Sequence, residues 1–466
     1  MTGPPDGQDP DRPQQTAGSQ PRRPGAGQRA ADQPQQLPAA AAGQEQPGAG
    51  AGQPQQREAG QARTPQPGSA PAGQQPGDDN GLPSRVTSLE LFFDLVFAFT
   101  LTQLTALLTD RLTAAATVQV LLVFGLLWWM YEGYAWLTNT RPPAGTADRL
   151  LLLVAMAGFL TVGLAIPRGF STDGVTLGIG YLAVVVVHSL LYFRSNRGII
   201  RITPFNVTSA LLVIVAGLVA RSQGAPGPAG YALWAAALAV QLGSPLIVRP
   251  APLFGLRAAH LVERHTALII VAIGESVAAI GIGAAQAAGQ RTGQAAGRLV
   301  LAAVLGLALA AALWWVVFGG TDQDEAERVL SAESSQRRTA LALSAFFYGN
   351  IPLLLGVVGV AAGVQQAVER ALGPVTGSLT GPAVVLAAGT ALFLAGEVTI
   401  RRRLRIGPAR YRAAAGVLAL ATIPAGALSS LSVQVAILTV ILAIMLAAEH
   451  LDPGGPAARR RPAAAG

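Results

Sequence analysis

From Ser88 onward the chain is a succession of apolar runs, each about 20 residues long, separated by short polar or Pro- and Gly-containing breaks. Leu150–Ile166 and Val175–Phe193 contain no Asp, Glu, Lys or Arg. A helix of about 20 apolar residues crosses a bilayer, and a chain in hydrocarbon must satisfy its own backbone hydrogen bonds, which a helix does internally. A membrane β-barrel would show short alternating segments, and none are present. The expected fold is therefore all-α, a polytopic helical membrane protein. Composition agrees: 12% of residues are charged, against roughly 25% in a soluble domain.

Twelve spans are predicted. The first six are Leu89–Thr109, Ala114–Leu137, Arg149–Ile166, Val175–Phe193, Phe205–Ala220 and Tyr231–Val248. The second six are Thr266–Ala285, Arg298–Phe318, Thr339–Gly363, Pro382–Ile400, Tyr411–Leu428 and Leu431–Ala448. Breakers fall between them at Pro142-Pro143, Gly224–Pro228 and Gly373-Pro374. Arginine placement tests the count independently. All 33 basic side chains are Arg; 20 fall after even-numbered spans or in the C-terminal tail, 6 after odd-numbered spans and 7 before the first span. Cytoplasmic loops carry the excess of positive charge, so twelve spans with both termini in the cytoplasm, in the cell membrane, are expected.

Residues 1–84 are rich in Gln, Pro, Gly and Ala and lack Phe, Tyr and Trp. Such a segment cannot bury enough apolar surface to offset its ordering entropy, so a disordered tail is expected. It has no early apolar run, which argues against a cleavable signal peptide. A transmembrane domain over 85–450 and a basic tail over 451–466 complete the organisation. With no cysteine, thiol catalysis, disulfides and Cys-ligated zinc are excluded. The net charge of +8 does not point to nucleic acid, because the excess lies in short loops between apolar runs.

Several polar residues lie where lipid would penalise them. Glu275 is in the middle of the seventh span, and a carboxylate there costs about 2.5–3.5 kcal/mol. The surrounding Leu, Ile and Val residues offset that cost, but the acid must face protein or water. Proton or ion handling and a structural interhelical hydrogen bond are both open for it. Gly274 and Ala278 offer a small-residue surface for a close helix neighbour, as do Gly359 and Gly363. Glu90 and Asp94 are four residues apart and share a helix face; they fit either a functional polar cluster or N-terminal helix charge. Glu132, Glu397 and Glu449 lie near span ends and read as interfacial, and His188 reads as a hydrogen-bonded packing residue. His260, Glu263 and His265 lack the H-E-x-x-H spacing of a zinc site, so no metal is expected. Trp128-Trp129 and Trp314-Trp315 read as interface-belt residues.

The halves also echo one another. Glu90 to Asp94, Gln103 and Trp128-Trp129 in the first are matched by Glu263 to His265, Glu275 and Trp314-Trp315 in the second. This suggests two six-helix halves entering from the same side, the arrangement of parallel-repeat transporters.

Ser88-Leu-Glu-Leu-Phe-Phe-Asp-Leu-Val-Phe97 with Thr102-Gln103-Leu104 resembles the opening motif of the bacterial low temperature requirement A family. His260-Leu-Val-Glu-Arg264, followed by Ile273-Gly-Glu-Ser276, resembles its second motif. The resemblance runs from about Ser84 to Glu449 and departs at Tyr348-Gly-Asn350, where that family often has His. It implies a membrane protein linked by name to growth in the cold, and it leaves the molecular activity open. The matching residues are Glu90, Asp94, Gln103, Glu263, Arg264, Glu275 and Ser276. They form the candidate intramembrane polar site.

Two functions are compatible with these features. A secondary transporter or ion-coupled permease, acting on a small solute or ion, fits the even span count, the paired halves and the midplane acid. A non-transporting membrane protein, supporting cold or envelope adaptation through lipid or protein contacts, fits the lack of a substrate motif. No catalytic residue or cofactor is expected, and the chain does not read as an enzyme.

Overall fold

The computed structural model describes residues 85–193, 199–224, 226–248, 255–287, 294–371 and 378–452. The expectations for 1–84, for the basic tail beyond Asp452 and for the Gly373-Pro374 break lie outside the described residues. Fifteen α-helices occur among the described residues: α1 Ser88–Arg111, α2 Ala114–Thr140, α3 Thr146–Ala165, α4 Gly174–Phe193, α5 Thr203–Gln223, α6 Pro228–Ile247, α7 Ala258–Gln286 and α8 Gln294–Phe318. They continue as α9 Asp322–Ala332, α10 Ser335–Ala342, α11 Tyr348–Glu369, α12 Thr380–Leu404, α13 Arg410–Ala421, α14 Ile423–Leu428 and α15 Leu431–Leu451. Together they supply twelve helical segments long and apolar enough to cross a membrane, and each predicted span falls on one of them.

Local sequence explains the ends. Thr87 caps α1 through a reciprocal capping box with Glu90, and Thr113 and Ser430 cap α2 and α15. Such caps satisfy amide donors that a helix leaves free at its start. The outward faces carry large exposed apolar side chains, among them Leu164 on α3, Ile179 on α4, Val304 on α8 and Ile444 on α15. Apolar patches of this extent mark a surface that lipid covers, and the molecule is a multi-pass membrane protein.

The second six spans repeat the neighbour order of the first. In the first half α1 packs on α2 and α3, α2 on α6, α3 on α4, α4 on α5, and α5 on α6. In the second, α7 packs on α8 and α11, α8 on α15, α11 on α12, α12 on α13, and α13 and α14 on α15. The halves meet where α1 lies against α7 and α11. These two leading helices run in the same direction: Glu90 and Asp94 of α1 meet Arg264 of α7, and Thr102 further along α1 meets Glu275 further along α7. The echo does not extend to every side chain used to detect it. Trp128 is buried and donates to the Phe347 carbonyl at 3.0 Å, and Trp129 donates to Asn206, whereas Trp314 and Trp315 are exposed. Trp128 is therefore core rather than interface belt, and Trp129 is half-buried against it.

Glycines set a close backbone contact between α11 and α12. A Cβ on Gly356 would lie 2.4 Å from the Phe393 nitrogen, and one on Gly363 would lie 2.6 Å from Leu386 Cβ. Gly359 and Gly363 thus serve the close approach expected of them. Gly274 does not: it is exposed and nothing lies within 4 Å of its would-be Cβ.

One segment was not anticipated. Between the eighth and ninth spans, α9 and α10 form two short helices, and a π-helical turn at Leu343–Phe347 joins α10 to α11. Ala326 and Leu330 of α9 pack with Leu261 and Val262 of α7, Trp136 of α2 and Phe346 in a second apolar core. This core covers the end of the bundle at which α1 and α7 begin.

Candidate functional site

Two i,i+4 pairs of opposite character meet across the α1–α7 contact. Glu90 and Asp94 occupy one face of α1; His260 and Arg264 occupy one face of α7. Because the helices are parallel, the pairs align level by level. His260 Nε2 lies 3.1 Å from Glu90 Oε1, Arg264 Nη1 donates to the same oxygen at 3.2 Å, and Arg264 Nη2 donates to Asp94 Oδ1 at 3.0 Å. All four side chains are almost wholly buried. Glu90 also serves the start of α1, since its Oε2 accepts from the Thr87 amide at 2.9 Å.

Helix α2 closes the cluster. Tyr131 donates to Asp94 Oδ1 at 2.9 Å, and Thr138 Oγ1 accepts from Arg264 Nη1. The Arg264 guanidinium lies 5.8 Å from the Phe93 ring centroid and 5.6 Å from that of Tyr131, within the range of cation–π attraction. Asn139 fixes the His260 tautomer. Its Oδ1 accepts from the Arg257 amide, so its Nδ2 donates to the Arg257 carbonyl and to His260 Nδ1. Nδ1 is therefore an acceptor, and Nε2 carries the hydrogen toward Glu90. Arg257 also donates to the Asn139 and Thr138 carbonyls at 2.6 and 3.1 Å, satisfying acceptors that α2 leaves free at its end.

His265 takes a separate partner. Its Nδ1 donates to the Leu261 carbonyl, and its Nε2 lies 2.8 Å from Glu132 Oε1; Trp136 donates to Glu132 Oε2, also at 2.8 Å. Glu132 is therefore an internal ion-pair residue rather than an interfacial one. Sequence reasoning separated it from the site because it placed residue 132 at a span end, whereas α2 continues to Thr140.

Deeper in the bundle a second polar position lies on the same face of α7. Glu275 is eleven residues beyond Arg264, three helical turns and about 16 Å along the axis. Thr102 Oγ1 of α1 donates to Glu275 Oε2 at 2.5 Å. Glu275 Oε1 and the neighbouring Ser276 Oγ are buried and have no partner among the described residues. Between the two levels the interface is apolar, with Phe97, Leu101, Leu268 and Ala272 fully buried. The arrangement can hold a charged cluster at one end of the bundle and one isolated carboxyl near its middle.

The remaining candidate residues fall outside both positions. Glu263 is exposed and accepts from the Val86 amide at 3.1 Å; adjacent residues on a helix point about 100° apart, so Glu263 and Arg264 cannot share a face. Gln103 is half-buried beside Thr102 and makes no hydrogen bond of its own among the described residues. Arg264, grouped by sequence with loop arginines, is instead inside the bundle. His188 packs edge-on between Tyr134 and Tyr192, and its Nε2 has no hydrogen-bond partner among the described residues.

A further ion network lies in the second half. Arg412 pairs with Glu397, Glu449 and Asp322, and Arg401 pairs with Asp322 and Glu449. Glu397 is buried there, and like Glu132 it is an interior group rather than an interfacial one.

The residues of both positions lie in a stretch matched by a family model. The model described as bacterial low temperature requirement A protein covers residues 85–447. The chain belongs to that family. The match spans nearly every described helix and includes both motifs, Glu90 to Asp94 and His260 to Arg264, that build the buried cluster. A relative of this chain occurs in Rhizobium meliloti (strain 1021), where it is described as an uncharacterized protein. It is 27% identical over 325 residues, covering 67% of this chain and 76% of the relative.

Proposed function

We propose that this protein is an ion-coupled permease whose coupling group is Glu275, with both termini in the cytoplasm. One observation carries the reading. A carboxyl in the middle of a membrane span sits at the contact of the two six-helix halves, held on one oxygen by Thr102 and, among the described residues, without a partner on the other. An intramembrane acid is costly and marks ion or proton pathways, and a group at the junction of parallel halves is placed where their rocking would change its access. The charged cluster around Arg264 acts as the fixed point that holds α1, α2 and α7 in register. The small solute or ion moves without covalent chemistry, so the protein is not an enzyme.

Purified protein in liposomes, assayed for proton or cation flux, tests this. Wild-type vesicles should show flux, and Glu275→Gln should insert and fold normally but lose it, because the amide keeps the shape and cannot exchange a proton. Absence of flux in wild-type vesicles, or unchanged flux with Glu275→Gln, overturns the reading. A non-transporting role in envelope or cold adaptation is then favoured by the dense ion pairing around Arg264, which fits a static staple equally well.

A further inference from the structure

A cavity of about 390 Å³ lies beside the Arg264 cluster, between α2, α4 and α5 on one side and α10 and the π-helical turn on the other. Its size is that of a small-molecule site. Five aromatic side chains line it: Trp129, Trp136, Tyr192, Phe347 and Tyr348. Glu132 is the one carboxylate and the one formally charged side chain among the described residues of its wall. Aromatic rings attract cations through their quadrupole, and the carboxylate adds attraction of the same sign. His188 also lines the cavity and is buried.

We infer that this cavity binds a lipophilic organic cation, an ammonium or phosphonium carrying apolar groups. The inference deepens the permease reading by naming a substrate class.

The Glu132–His265 pair, distinct from the coupling acid Glu275, supplies the proton whose release balances the charge of the bound cation. His265 Nδ1 faces the Leu261 carbonyl at 2.8 Å, and a carbonyl only accepts, so Nδ1 carries a hydrogen. A second hydrogen lies between His265 Nε2 and Glu132 Oε1, and with it the pair is neutral overall on whichever atom that hydrogen resides. A monocation seated against Glu132 replaces that charge. The hydrogen leaves as a proton, Nε2 keeps the lone pair, and Glu132 remains a carboxylate facing the cation. One positive charge arrives and one departs. Among the described residues, the other titratable or charged groups near the pair are Glu90 and Asp94 on α1, Tyr131 on α2, His188 and Tyr192 on α4, His260 and Arg264 on α7, and Tyr348 on α11. Glu90 and Asp94 are already held by Arg264, and His260 is held by Glu90 and Asn139, so the departing proton goes to solvent.

The test uses the full-length protein in detergent micelles and weak buffer. It is titrated calorimetrically with tetraphenylphosphonium and, separately, with tetraphenylborate, an anion of the same shape, each against empty micelles, while a pH electrode follows proton release. The expected result is saturable binding of the cation alone, with release of about one proton per cation bound. Glu132→Gln should weaken cation binding by about tenfold or more and abolish the release. Equal binding of the two ions, cation binding without proton release, or a Glu132→Gln protein that behaves as wild type overturns the inference. The comparison of the two ions needs no variant, so it decides the matter even where Glu132→Gln fails to fold. Ion flux in liposomes without tetraphenylphosphonium binding sinks this inference alone, and binding without flux sinks the permease reading alone.

Discussion

Arg264 of α7 donates to Asp94 of α1 at 3.0 Å, and this contact between the two halves of the molecule is buried on both sides. The same guanidinium serves Glu90 and Thr138, so one cation satisfies groups from two other helices. Removing one partner of a buried ion pair costs about 3–5 kcal/mol, because the other charge is left buried and uncompensated. Arg264→Gln should therefore sharply lower folded protein in micelles, as read by thermal unfolding or by size-exclusion recovery. Adding Glu90→Gln and Asp94→Asn to that variant should restore much of the loss. Arg264→Lys should fall between, since an ammonium cannot span both carboxylates as a planar fork does. Wild-type stability of Arg264→Gln would show that the cluster does not hold the helices.

Thr102 should matter through its hydroxyl alone. It is the donor to Glu275 across the α1–α7 contact, and stripping one partner from a buried polar pair costs about 1–3 kcal/mol. Thr102→Val keeps the shape and removes the donor, so flux in liposomes should fall at equal protein content. Thr102→Ser keeps the donor and should stay near wild type. Equal flux from the two variants would separate Thr102 from the action of Glu275.

The α11–α12 contact gives a packing prediction with an internal control. A Cβ on Gly389 would lie 2.6 Å from the Val360 nitrogen, and one on Gly356 would meet the Phe393 nitrogen at 2.4 Å. Both atoms are backbone and cannot rotate away. Gly356→Ala or Gly389→Ala should cost about 1–3 kcal/mol or more by overpacking. Gly274→Ala, with open space around it, should be neutral, or stabilising by up to about 1 kcal/mol from helix propensity. Comparison of unfolding midpoints in one detergent checks this, and equal shifts for Gly356→Ala and Gly274→Ala would contradict it.

The arginine asymmetry predicts the membrane orientation. Reporter fusions after Arg141, Arg201 and Arg405 should read cytoplasmic, and fusions near Arg168 and Gly224 should read external. An inversion of the signal after any one span would locate an error in the order of crossings.

The amino-acid sequence by itself determined the all-α membrane architecture and the twelve crossings. Insertion of a span depends on a sum of local transfer terms, and Leu150–Ile166 carries its signal whatever its neighbours do. The motif Glu90 to Asp94 and the motif His260 to Arg264 were visible for the same reason, as spacings along one helix. Only the tertiary structure decided which of these residues meet. Glu263 and Arg264 are adjacent in the chain, yet one is exposed and the other is enclosed by three helices, because the rotation of α7 against α1 picks one direction in each turn. Packing also placed Trp128 in the core and Glu132 beside His265. Both are contacts between residues far apart in sequence, and no local pattern encodes such contacts. They arise because a buried charge or indole N–H must find its partner on whichever helix the fold brings against it.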